Sequence, residues 1–226
     1  MSVAISPKHV VDGGFPPAEE WPLEFKIDIF IARVDGWHLE VADRCINGWQ
    51  NPEGQQCITA PCGDMFYYES PTSAFMFPRD LITHQIPDAG WAVLQMVLNY
   101  FEIIGRFKFF KKSESDDDFL LFQSGVLDVF PGFKNHEPNI ARLLYSHLRG
   151  GLYHSGIRSG KIFLRHQEPL NAMVYDSAND LLIIDPHVFI PVLRKHLWEY
   201  GKQLKDPTQS TLRAKFAAAY YDYYLS

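Results

Sequence analysis

Arg149 and His154 stand five residues apart, separated by Gly150-Gly151-Leu152-Tyr153 and followed by Ser155-Gly156. Arginine carries a permanent charge on a planar fork that fits phosphate oxygens. Histidine exchanges protons near neutral pH. The two side chains together have what phosphodiester cleavage without a metal needs: a base to deprotonate a nucleophile and a cation to hold the phosphate.

A straight α-helix does not bring this pair together. At about 100° per residue, five residues separate the two side chains by roughly 140° around the axis and about 7.5 Å along it. The helix must loosen at Gly150-Gly151, where each glycine costs about 1 kcal/mol relative to alanine. Otherwise, two copies of the helix must face each other across a two-fold axis. The plainer alternative is a solvent-facing arginine near a helix carboxyl end, with His154 beside it and Gly156 as the stop.

The same offset occurs seven residues earlier, in Arg142 and His147. Seven residues return a helix nearly to the same face. Arg142 and Arg149 therefore predict a cationic strip with His147 and His154 beside it, continued by Arg158, Lys161 and Arg165. Ile140, Leu144, Leu148 and Leu152, with Leu143 at the edge, form the apolar stripe that would seat this helix on a core. Pro138 starts the helix.

The stretch Leu148-Arg149-Gly150-Gly151-Leu152-Tyr153-His154-Ser155-Gly156 resembles the signature helix of the HEPN superfamily (higher eukaryotes and prokaryotes nucleotide-binding). Its motif is an arginine, four to six residues and a histidine near the end of a late bundle helix. The resemblance implies an antiparallel helical bundle over roughly residues 23–205, with specific motif content only in 142–156. It implies a homodimer through the motif helix and an endoribonuclease that needs no metal or other cofactor, in toxin–antitoxin, stress or antiviral settings. It also implies the roles: His154 as general base on a ribose 2′-hydroxyl, Arg149 as phosphate clamp. Tyr153, Arg142, His147, Arg158 and Lys161 are the candidate RNA contacts. Gly150 stands where active members usually carry a polar side chain. The alternative is therefore a catalytically inactive module of the same fold that binds RNA, a nucleotide or a protein partner such as an antitoxin.

The rest of the chain sets the frame. With 226 residues, 46% of them hydrophobic, it can bury one sizeable core. The reading is mainly α, with a small antiparallel β element late in the chain, in one domain over 23–226. Residues 1–22 read as an N-terminal arm and 48–87 as an irregular, proline-punctuated insertion, with short strands near Met65–Tyr68 and Ala74–Phe77. Helices are expected over Leu23–Asn47, with Gly36 as a possible interruption, from Ala89 to Phe110, over Phe119–Val129, from Pro138, from Val188 to Leu204 and over Leu212–Leu225. Lys161–Leu164, Ala172–Tyr175 and Leu181–Ile184 read as strands, with Asn179-Asp180 as a hairpin tip.

Cys45, Cys57 and Cys62 cannot all pair, and no secretory leader or apolar span is visible, so a cytoplasmic protein with no membrane contact is expected. The net charge of −6 supplies no global field for nucleic acid. The Cys57/Cys62 spacing is loose for zinc, and no phosphate-cradling glycine loop is present. Glu102 reads as an exposed position or a partner of Arg149 or Arg142. The tyrosines 220, 221, 223 and 224, with Phe216, read as core plating or, more sharply, as an interface.

Overall fold

The apolar residues recur at helical spacing over long stretches, and those stretches bury their stripes against one another. The computed structural model describes residues 3–11, 16–47, 49–50, 56–59, 65–68, 79–109, 118–135, 137–152, 160–164 and 171–224. It is mainly helical, with small sheets.

Residues 1–22 are more than an arm. Val3–Ser6 (β1) and His9–Val11 (β2) form an antiparallel hairpin. It is fastened to the first helix, α1 (Leu23–Val34), by Arg33 Nε donating to the Ile5 carbonyl at 2.6 Å. Its turn residue Pro7 presses on Gly36, where an added Cβ would sit 2.6 Å from the proline ring. Gly36 lies in the expected interruption: the helix widens to π winding over Asp35–Leu39 and resumes as α2 (Glu40–Asn47). Beyond it, β3 (Trp49–Gln50), β4 (Gln56–Thr59) and β5 (Met65–Tyr68) pair antiparallel within the insertion. The expected strand at 74–77 lies outside the described residues.

α3 (Arg79–Phe109) starts ten residues earlier than Ala89 and runs through Pro87. A proline inside a helix removes one hydrogen bond and crowds the preceding turn, but it need not end the helix where the flanks stay helical. α4 (Asp118–Val129) returns antiparallel to α3. The two backbones touch: a Cβ on Gly125 would strike the Phe101 carbonyl, and one on Gly105 the Leu121 carbonyl. α5 (Glu137–Arg142) leads into the motif segment.

β6 (Ile162–Leu164), β7 (Met173–Asp176) and β8 (Leu181–Ile184) make the late sheet in the order β6-β8-β7. The strands lie where expected, but the sheet is mixed rather than antiparallel. β7 and β8 form the hairpin, with Asp180 at positive φ (53°) and the Asp176 carboxylate accepting from the Ala178 and Asn179 amides. β8, the most apolar of the three, takes the centre, so β6 meets its remaining edge and does so in parallel.

α6 (Pro186–Lys205) starts on buried Asp185, whose carboxylate accepts the His187 amide at 3.0 Å while Pro186 fills the first turn. α7 (Ser210–Tyr224) closes the chain. Phe216 and Tyr220 are buried, whereas Tyr221 is exposed; the side chains of Tyr223 and Tyr224 lie outside the described residues. The core joins α1, α3 and α7 through Phe30, Phe107 and Phe216, with ring centroids 4.5 to 5.3 Å apart.

Gly125→Ala is expected to cost about 2–3 kcal/mol, since a helix backbone cannot give way as a side chain can. Thermal unfolding should show a fall of roughly 5–10 °C for a chain of this size. An unchanged midpoint would mean that the two helices do not meet backbone to backbone.

Candidate functional site

The motif helix rests on the core through Ile140, Leu143, Leu144 and Leu148, all buried as the stripe predicts. Tyr145 packs edge-on against Phe119 and Phe122 of α4, at 5.4 and 5.2 Å. Arg142 is exposed and His147 half-buried. From Leu143 to Leu152 the helix leaves α winding for π winding, so Arg149, Gly150 and Gly151 all lie on loosened helix. The π pattern bonds residue i to i+5 in place of i+4. Residues five apart then stand about one turn apart, instead of on faces separated by roughly 140°. The loosened winding covers Arg149 and the two glycines and is described as far as Leu152. Tyr153, His154 and Arg158, and the side chain of Arg149, lie outside the described residues. Lys161 is a described residue on the strand side of the motif segment. Its ammonium lies 3.2 Å from the Asn179 carbonyl and 3.5 Å from Asp180, at the tip of the β7–β8 hairpin.

Glu102 is buried, contrary to the exposed reading, and pairs with Arg106 one turn along α3 at 3.0 Å. Arg106 also reaches Asp118 at the start of α4. A carboxylate inside an apolar run is tolerated here because a cation one helical turn away shares its burial.

A second constellation escapes motif reading because its members come from three helices. His196 of α6 places Nδ1 2.7 Å from the Tyr100 hydroxyl of α3 and Nε2 2.9 Å from Asp128 Oδ2 of α4. Lys108 Nζ lies 2.7 Å from each Asp128 oxygen. An ionised carboxylate only accepts, so Nε2 carries a proton; in the neutral imidazole Nδ1 then accepts from Tyr100. Burial alone would raise the Asp128 carboxyl. The hydrogen bonds from His196 and Lys108 and the lysine charge outweigh burial and hold the group below its ordinary range. Tyr100 and Tyr200 are pushed the other way, first by burial and then by the Asp128 charge.

A hydroxyl, an imidazole and a carboxylate in line resemble a nucleophile–base–orienter relay. Tyr100 is only 1% exposed, however, and no substrate can reach its oxygen. The cluster is a polar clamp that ties α3, α4 and α6. The sequence did carry one signal for it. His196 falls within the buried stripe Leu193, Leu197, Tyr200 and Leu204, and a histidine at such a position needs partners.

Among the described residues no group of histidine, cysteine or acidic side chains could hold a metal ion, and no helix is long and apolar enough to cross a membrane. Comparison with protein-family models, with curated proteins and with solved structures returns no match.

The native Asp128 carboxyl titrates below its unfolded counterpart. Its contribution to stability is therefore present above about pH 4, the unfolded value, and is lost as pH falls through the lowered native one. Asp128→Asn should lower stability by about 2–3 kcal/mol at pH 7, as expected for hydrogen bonds to a charged group. It should also flatten the acid limb of the unfolding midpoint plotted against pH. Parallel wild-type and variant curves would remove Asp128 from that limb.

Proposed function

We propose that the chain is a metal-independent endoribonuclease of the HEPN type, working as a homodimer in which two motif helices share one cleft. The observation that carries this reading is the π winding over Leu143–Leu152, which loosens the helix at Arg149 and the two glycines. The buried stripe beneath it leaves Arg142 exposed on the same helix. In this mechanism His154 removes the proton from a ribose 2′-hydroxyl, and the freed oxygen attacks the adjacent phosphorus. The 5′-oxygen leaves, taking a proton from water, and the product ends in a 2′,3′-cyclic phosphate. Arg149 holds the non-bridging oxygens as their charge grows, through a charge-assisted fork that suits phosphate. A cellular role in stress or phage defence, with an antitoxin-like partner, belongs to the same reading.

Gly150 favours a second reading, a module of this fold that binds RNA, a nucleotide or a protein without cutting. Glycine there adds no polar group beside the phosphate clamp.

His154→Ala is expected to cut RNA cleavage by ~10²–10⁴-fold, the usual range for a general base. Arg149→Ala should do the same through loss of electrostatic stabilisation, commonly ~10²–10³-fold. EDTA should leave the wild-type rate unchanged, and the cut ends should carry cyclic phosphate. Full activity in both variants sinks the nuclease reading. RNA retained but uncut by the wild type selects the binding module.

A further inference from the structure

Two of the exposed large apolar side chains are tryptophans on neighbouring elements: Trp37, 46% exposed, and Trp198, 45% exposed. Trp37 belongs to the π-wound turn between α1 and α2; Trp198 lies on α6. Three contacts bring them to one face. Arg194, one turn before Trp198, pairs with Asp35 at 2.7 Å, two residues before Trp37. Pro7 of the hairpin turn sits on Gly36, next to Trp37. Lys8, the next turn residue, places its ammonium 6.0 Å from the Trp198 ring. The two indoles therefore flank the same hairpin turn. Each has a cation at its ring, Lys8 for Trp198 and Arg33 for Trp37, the latter at 5.7 Å.

Single exposed apolar residues need no explanation, but paired ones on a rigid frame do. The frame is rigid because Arg194 holds both Asp35 and Asp43, and Arg33 holds the hairpin strand through the Ile5 carbonyl. The cations lie over the rings near the outer limit of about 6 Å, so these contacts are weak and an incoming base can displace them. Flat aromatic faces beside cations match one chemistry well: a base to stack and a phosphate to neutralise, repeated along a strand. Every base has a π face, so such a surface reads little sequence.

We propose that Trp37 and Trp198, with Lys8 and Arg33, form a stacking platform for single-stranded nucleic acid. The platform is separate from the Arg149/His154 motif and stands whether or not that motif cuts.

The test uses the full chain and a fluorescently labelled oligothymidylate. That probe lacks the 2′-hydroxyl which the cleavage chemistry requires, so it reports binding alone. Wild type should bind at low salt. Trp37→Ala and Trp198→Ala should each weaken binding roughly 5- to 100-fold, the loss expected for one stacked base. Trp198→Phe should retain most of the affinity. Log affinity should fall against log salt with a slope of about −0.7 for the one phosphate contact that Lys8 offers, and Lys8→Ala should flatten it. Lys8, Trp37 and Trp198 are exposed, so unchanged unfolding midpoints will verify the fold of each variant. Absence of wild-type binding, wild-type affinity in both alanine variants, or binding to phosphatidylserine vesicles in place of the oligonucleotide each overturns the platform. An RNA that binds through the tryptophans but stays uncut speaks against the nuclease reading and leaves the platform intact. Cleavage that persists with Trp-independent binding does the reverse.

Discussion

The close approach of α3 and α4 governs the positions of the other elements. Gly105 and Gly125 let the two backbones meet with no side chain between them. That contact sets both the distance and the register of the pair. Register then decides which polar residues can meet, because Asp128 must come within reach of Lys108 and His196 at once. It also decides where the motif helix sits, since Tyr145 lies on Phe119 and Phe122 of α4. A helix pair held apart by one methyl group on each side would displace the clamp and the motif together.

The clamp then locks what the glycines align. Tyr100, His196, Asp128 and Lys108 pass hydrogen bonds across three helices, so loss of any one leaves a half-buried polar group without its partner. Such losses cost about 1–3 kcal/mol each, against the 5–15 kcal/mol by which native domains are stable. The arrangement is incomplete at one point: the hydroxyl of Tyr200, whose ring centroid lies 5.7 Å from the Lys108 ammonium, is buried with no hydrogen-bond partner among the described residues. Lys108 lies over the ring rather than at the oxygen, so its contact with Tyr200 is electrostatic and leaves the hydroxyl unsatisfied.

Where one local signal determined the outcome, the fold was legible. Asn179-Asp180 marked a hairpin tip because few residues other than glycine accept positive φ, and Asp180 adopts it. The stripe Ile140, Leu144 and Leu148 gave the buried face of the motif helix. The failures arise where distant residues decide. Pro87 signals a helix start by local rules, yet α3 passes through it. The parallel pairing of β6 with β8 depends on which edge the β7 hairpin leaves open, and no property of 162–164 reveals that. Glu102 reads as exposed because an isolated carboxylate in an apolar run does not by itself reveal that Arg106, one turn on, shares its burial. The candidate site divides in the same way. Arg149 and its five-residue offset were visible as a motif, whereas the loosened winding around it is a property of the whole segment. Trp37 and Trp198 carry no sequence relation at all; Pro7, Lys8 and Arg194 bring them to one face.

The net charge of −6 constrains any contact with nucleic acid. Beyond about 8 Å, the screening length at physiological salt, that charge has little effect on a docked strand. It does slow the approach, since no long-range attraction collects the ligand. Many of the cations are also committed within the fold: Arg106 to Glu102 and Asp118, Lys108 to Asp128, Arg194 to Asp35 and Asp43, Lys205 to Asp28, Arg213 to Glu24. Those cations are not available for counterion release along a strand. A strand held with few phosphate contacts relies on short-range ones, and base stacking is among the strongest of these, at about 1–3 kcal/mol per base. An acidic chain that binds RNA therefore needs exposed aromatic faces beside a few well-placed cations, and a cleft shared by two copies doubles those contacts without changing the sign of the charge.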